Sequence, residues 1–277
     1  MKLVAIVRPP SRLDEAARAV ADAAGVTLAE ARMRLAPEPP ALLARLEADE
    51  AGKLVAALRK AGLQALLVDA RCPTDKDRTP ARSFALDDTG VTFTPRFGDA
   101  VKVLWPDVVA IMRGLRASRS EVERSEKAKR LSVGKALVTG GLSMTRTSTK
   151  TVRSSEEDFE QVIFVYARGG RAVTLAENEL DFTCLGTGMQ PSSTANVVEL
   201  ARRLRERAKG AFYDERLLRL GRRQLPFLVG GESHSRLVGA GPRSQLPTVT
   251  TTHTDTSGSL DTLAEVMRQA VAEALLP

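Results

Sequence analysis

The chain has 277 residues, of which 43% are hydrophobic and 27% charged, a balance that excludes wholesale disorder and leaves room for two modest domains or one large domain with appendages. Only 4% of the residues are aromatic, so the core must be built from Leu, Val and Ala, and base-stacking nucleic-acid modules are disfavoured. The net charge of +7 is local: residues 113–153 hold 11 Lys/Arg against three Asp/Glu, whereas residues 211–277 balance at seven each.

In chain order, Leu3–Val7 reads as a short buried strand stopped by Pro9 and Pro10. Ser11 and Asp14 have the spacing of an acidic cap, and an Ala-rich helix is predicted from Leu13 to Ala24, ended by Gly25. Thr27-Leu28-Ala29-Glu30 is a capping box for a second helix to Leu35, in which Glu30 is expected to reach back to the cap. Pro37, Pro39 and Pro40 end that segment. Asp49 is expected to cap a third helix with Leu54, Val55 and Leu58 at helical spacing. Gly62 stands where a left-handed residue is wanted, and Leu63–Val68 reads as a second strand.

The sequence from Ala19 to Asp69 resembles the C-terminal domain of the bacterial ribosomal stalk protein. Gly25, Val26, Leu28, Glu30, Ala31 and Arg32, then Pro37, Asp49, Ala61 and Gly62, stand at the family's helix end, apolar-Leu-Glu-Ala-basic run, proline loop, capped helix and closing turn. The resemblance covers residues 3–69 and implies a small α/β module, residues 1–72, that docks a protein partner. In that family the first helix carries basic residues that recruit translation GTPases. Here Asp14-Glu15-Ala16-Ala17-Arg18 keeps only Arg18, which argues for docking in general and against the ribosomal role. Arg18, Leu28 and Arg32 are the candidate docking residues; the other reading is that the module packs on the rest of the chain.

Residues 73–82 are polar and proline-marked and read as a linker to a β-rich domain at 83–220. Asp87-Asp88-Thr89-Gly90 is a hairpin turn signal, and Val101–Trp105 a further strand. Gln161–Ala167 is a buried strand, Gly169-Gly170 a turn, Arg171–Leu175 a returning strand and Asp181–Leu185 a shorter one. A helix follows from Thr194 to about Lys209, with Val197, Val198, Leu200, Ala201 and Leu204 on one face. Strands closed by one helix, with Trp105-Pro106-Asp107 leading into an apolar strand, are similar to the bacterial pleckstrin-homology-like group. That resemblance implies a small β-barrel or curved antiparallel sheet. The fold class expected for the chain is therefore α+β.

Between them lies a basic insertion, residues 113–153. Arg124, Lys127, Lys129, Arg130 and Lys135 flank an apolar stretch and are candidates for contact with an anionic partner. An anionic membrane surface or a protein fits this pattern, nucleic acid less so, and a β-hairpin with its apolar residues inside fits as well. Residues 221–277 read as a Gly/Ser/Thr-rich loop and an amphipathic helix. Its seam, including Leu263, Val266, Met267 and Val271, is expected either to fold back on the chain or to self-associate into a homo-oligomer.

No catalytic or cofactor pattern emerges. Gly134-Lys135 lacks the Gly and the Ser/Thr of a phosphate loop, since positions 129 and 136 are Lys and Ala. Two cysteines and two histidines give no zinc spacing, and Thr252-His253-Thr254-Asp255 with Ser257 is too local for a triad. No metal or cofactor is therefore expected. With no leader and no apolar run long enough to span a bilayer, a cytoplasmic chain is expected. The functional expectation is a non-enzymatic adaptor or scaffold. Alternatives are a peripheral membrane-binding module using residues 113–153, or an enzyme whose sign would be a polar pocket lined by Arg168, Glu177 or Asp181.

Overall fold

The protein is described from a computed structural model covering residues 1–71, 77–131, 145–223, 225 and 248–276, with backbone only for 121–131, 145–153 and 248–254. The chain divides into two units, one of residues 1–116, 159–230 and 256–277, the other of residues 117–158 and 231–255.

The first unit begins with β1 (Lys2–Ile6), α1 (Leu13–Ala24), α2 (Leu28–Leu35), β2 (Ala41–Leu46), α3 (Ala48–Lys60) and β3 (Ala65–Asp69). The strands form an antiparallel sheet in the order β2-β1-β3. Strand β2 is absent from the sequence reading. Its residues Ala41, Leu42, Leu43 and Ala44 are buried on both faces, so it shows no alternation, and Leu and Ala carry little β signal. Gly25 (φ 64°) and Gly62 (φ 81°) occupy the left-handed region as expected. The other caps differ in detail. Helix α1 starts behind Arg12 with no side-chain cap, and α3 behind Glu47 rather than Asp49. Thr27 does cap α2, accepting from Glu30 N at 3.2 Å, but the Glu30 carboxylate turns to Arg34.

The period of two along β1 explains how this layer is held. Val4 and Ile6 face α1, α2 and α3, packing with Val20, Leu43, Leu54 and Leu58. Leu3, Ala5 and Val7 face the other way, into a core shared with β7, β8 and the C-terminal helix, given below. Both faces of the small sheet are thus buried inside the same unit. The module packs on the rest of this unit.

The remaining elements of this unit are β4 (Thr79–Leu86), β5 (Gly90–Pro95), β6 (Val101–Leu104), the first part of β7 (Val108–Leu131), the last part of β8 (Thr145–Ala167), β9 (Ala172–Ala176), α4 (Ser193–Arg207), β10 (Phe212–Asp214), α5 (Leu217–Leu220) and α6 (Ser257–Ala272). The sheet order is β10-β7-β8-β9-β4-β5-β6. It is mixed, because β10 runs parallel to β7 and β4 parallel to β9, and it does not close into a barrel. It does curl: Arg171 at the start of β9 reaches the Lys102 carbonyl of β6, three strands away, at 3.4 Å.

Three expectations change. Strand β4 takes in Thr79–Arg82, expected as linker, and residues 183–188 form a 3-10 turn rather than a strand. Val198 of α4 is exposed; the buried face is Val197, Leu200, Ala201 and Leu204. On β8, Ile163 and Val165 pack towards α4, whereas Val162, Phe164 and Tyr166 pack towards α6. The layers therefore run from α1–α3 through the small sheet, α6 and the large sheet to α4.

In the second unit, β7 and β8 continue, and β11 (Thr248–Asp255) pairs antiparallel with β7 from Asp255↔Ser118 to Thr248↔Ser125. Residues 248–255, expected as loop, are thus a strand. Arg119 and Glu157 pair at 3.4 Å.

Candidate partner-docking surface

Helices α1 and α2 bury narrow stripes. Ala16, Ala17 and Val20 of α1, and Ala31 and Leu35 of α2, lie against the small sheet. The opposite faces meet solvent. Among the expected docking residues, Arg18 and Arg32 are exposed and Leu28 is 37% exposed. They do not play equal parts. The Arg32 guanidinium donates to one Asp14 oxygen from Nη2 at 2.8 Å and from Nε at 3.2 Å, tying α2 to α1. Arg12 pairs with Glu15 and Arg34 with Glu30. Arg18 makes no ion pair among the described residues, so its charge is available at the surface.

Two apolar side chains that the sequence reading did not select are also exposed on these helices. Met33 is 75% exposed and Leu13 46%. The signal for Met33 was present: it stands two residues from both Ala31 and Leu35, about 200° around the helix from the buried stripe. Beside α1 lies a groove of about 330 Å³ whose walls include Arg8, Arg12, Glu15, Ala19 and Gln64. The layer presents apolar side chains next to guanidinium groups on a helical scaffold fixed from behind.

The C-terminal seam has a different fate. Leu263, Val266 and Met267 lie in the chain's own core, and Val271 packs against it. This is the folded-back arrangement; self-association through these residues would require unpacking that core. A buried charged centre holds the helix. Arg78 donates to Asp261 Oδ1 at 2.6 Å, and its guanidinium lies 4.7 Å from the Phe164 ring centre. Arg116 stands 3.9 Å from the same carboxylate. Burial pushes the neighbouring Tyr166 phenol up to about 12.

Of the anion-contact candidates, Arg124, Lys127, Lys129 and Arg130 belong to β7, where only the backbone is described, and Lys135 lies outside the described residues. The groups expected to signal an enzyme pocket are not brought together. Arg168 sits in the exposed β8–β9 turn, and Asp181 accepts from Thr183 N at 2.9 Å. Glu177 accepts from Ser193 Oγ, Thr194 Oγ1 and Gln161 N, fastening the start of α4 to β8. Burial acts to raise its pKa, but these three donors bring it below the ordinary glutamate value. Among the described residues no three His, Cys, Asp or Glu side chains converge as metal ligands, and no helix is long and apolar enough to cross a membrane.

No family model, curated protein or solved structure matches the chain.

Proposed function

We propose that the protein is a non-enzymatic adaptor whose α1–α2 layer docks a protein partner. One observation carries the reading: Leu13, Leu28 and Met33 are exposed on the same two helices as Arg18, which makes no ion pair among the described residues, while the stripes of those helices facing the small sheet are buried. A partner offering an apolar side chain beside a carboxylate matches that chemistry. The likeness to the stalk-protein domain agrees in kind, and the replacement of its basic helix face turns the reading away from translation GTPases.

Deleting residues 1–72 would strip Leu3, Ala5, Val7 and Leu66 from the shared core, so point variants are the appropriate probe. Crosslinking of the full chain in its native cell extract should give a discrete adduct that Met33→Glu and Arg18→Glu abolish without lowering the Tm. Adducts unchanged in both variants would refute the proposal.

A further inference from the structure

The end of the large sheet away from the α4 C-terminus carries a second surface, distinct from the α1–α2 layer. Two turns meet there. Pro95 at the end of β5 pairs with Ala81 of β4, and Val173 near the start of β9 pairs with Thr79 of the same strand. The β5–β6 turn (residues 96–100) and the β8–β9 turn (residues 168–171) therefore project from one end, two strand spacings or roughly 10 Å apart. The hydrogen bond from Arg171 to the Lys102 carbonyl, at 3.4 Å, draws them together.

Phe97 sits at the tip of the first turn, beside Gly98 (φ 95°), and is 83% exposed, more than any other large apolar side chain described. The Arg96 guanidinium lies 5.5 Å from its ring centre. Arg168 and Arg171 flank the second turn, and all three arginines are exposed. None of them forms an ion pair among the described residues, although arginines on α4 and α2 are paired with carboxylates. Asp99 is the single acid in the two turns.

We propose that this end of the sheet docks on an anionic lipid bilayer. Phe97 enters the boundary between headgroups and acyl chains, and Arg96, Arg168 and Arg171 meet the lipid phosphates. Two features favour a bilayer over a protein. The ring stands on a projecting turn, which suits a medium that deforms around it, whereas a protein partner must supply a matching pocket. The arginines of the two turns outnumber the single acid, Asp99, three to one, a net positive charge that suits a negatively charged leaflet.

The test is flotation of the full chain with phosphatidylcholine vesicles, with and without phosphatidylserine, at low and high salt. The wild type should float only with phosphatidylserine, and less at high salt. Phe97→Ser should lower the partition about tenfold or more. Replacing Arg96, Arg168 and Arg171 by Gln should cost about fivefold each. Phe159→Ser, which removes the other exposed Phe stacked by an arginine, should change nothing. Because the basic 113–153 segment could itself bind vesicles, wild-type flotation alone does not suffice. Flotation unchanged in the Phe97 and triple-Arg variants overturns the proposal. So does absence of flotation, including the case in which Phe97→Ser abolishes a protein crosslink, which assigns the surface to a protein instead.

Discussion

Helix α1 reads as an Ala-rich helix and α6 as an amphipathic helix with an apolar seam, and each was a candidate contact surface. Their surroundings separate them. Helix α1 has sheet on one side only, and buries Ala16, Ala17 and Val20. Helix α6 lies between two sheets, with Leu260, Leu263, Val266, Met267 and Ala270 buried along with the polar Asp261 and Thr262. A spacing rule shows that a helix has an apolar face; it does not show how many other faces the fold will cover. The polar residues were the clue. Asp261 lies within the α6 sequence where a one-sided helix would place a solvated acid, yet it is buried and answered by Arg78, a residue more than 180 positions earlier.

The contrast can be tested by substitution, and the largest effect belongs to that buried pair. Arg78→Ala leaves Asp261 without its 2.6 Å partner and should cost about 3–5 kcal/mol in urea unfolding. An unchanged midpoint would show that the pair does not hold α6. Leu263→Ala removes a fully enclosed side chain and should cost about 2–5 kcal/mol by the same measurement. On the other side of the comparison the effects shrink. Thr27→Ala removes the cap of α2 and should cost about 1 kcal/mol, read as a fall in Tm.

Glu177 offers a pH-dependent test away from both helices. Its folded pKa lies below the reference value of 4.5, so its stabilisation is present above that value and is lost as pH falls through the lower folded value. In Glu177→Gln, urea midpoints measured from neutral to acid pH should therefore fall less steeply than in the wild type. Smallest of all, Met33→Ser should shift stability by no more than about 0.5 kcal/mol, because three quarters of the side chain is already in water. A larger loss would mean that Met33 is packed in solution, by this chain or another.

Much of the architecture was legible where sequence makes local demands. Gly25 and Gly62 mark helix ends because few other residues accept their backbone angles. Asp87 marks the β4–β5 turn because its carboxylate accepts from the Lys102 ammonium, the Thr89 hydroxyl, Thr89 N and Gly90 N, which together hold it well below the usual carboxylate range. Strand β2 was illegible because burial on both faces erases alternation, and β11 because Thr248–Asp255 resembles a polar loop until β7 supplies its partner. At the candidate surface, the family resemblance selected Leu28, Arg18 and Arg32 but did not distinguish Arg32, committed to Asp14, from Arg18, which is not. That difference depends on how α1 and α2 pack.

The shared core also sets an order of events. The sheet face formed by Leu3, Ala5, Leu66 and Val68 comes from the first seventy residues, whereas its cover, α6, comes from residues 257–272. During synthesis the early layer is made long before its cover, so this apolar face stays open to water, to chaperones or to neighbouring chains until α6 emerges from the ribosome. The last helix thus acts as a completion signal for the first sheet. Loss of α6 should leave α1–α3 attached to a sheet with one bare face, so premature termination anywhere in the later two thirds of the chain would be felt at its beginning.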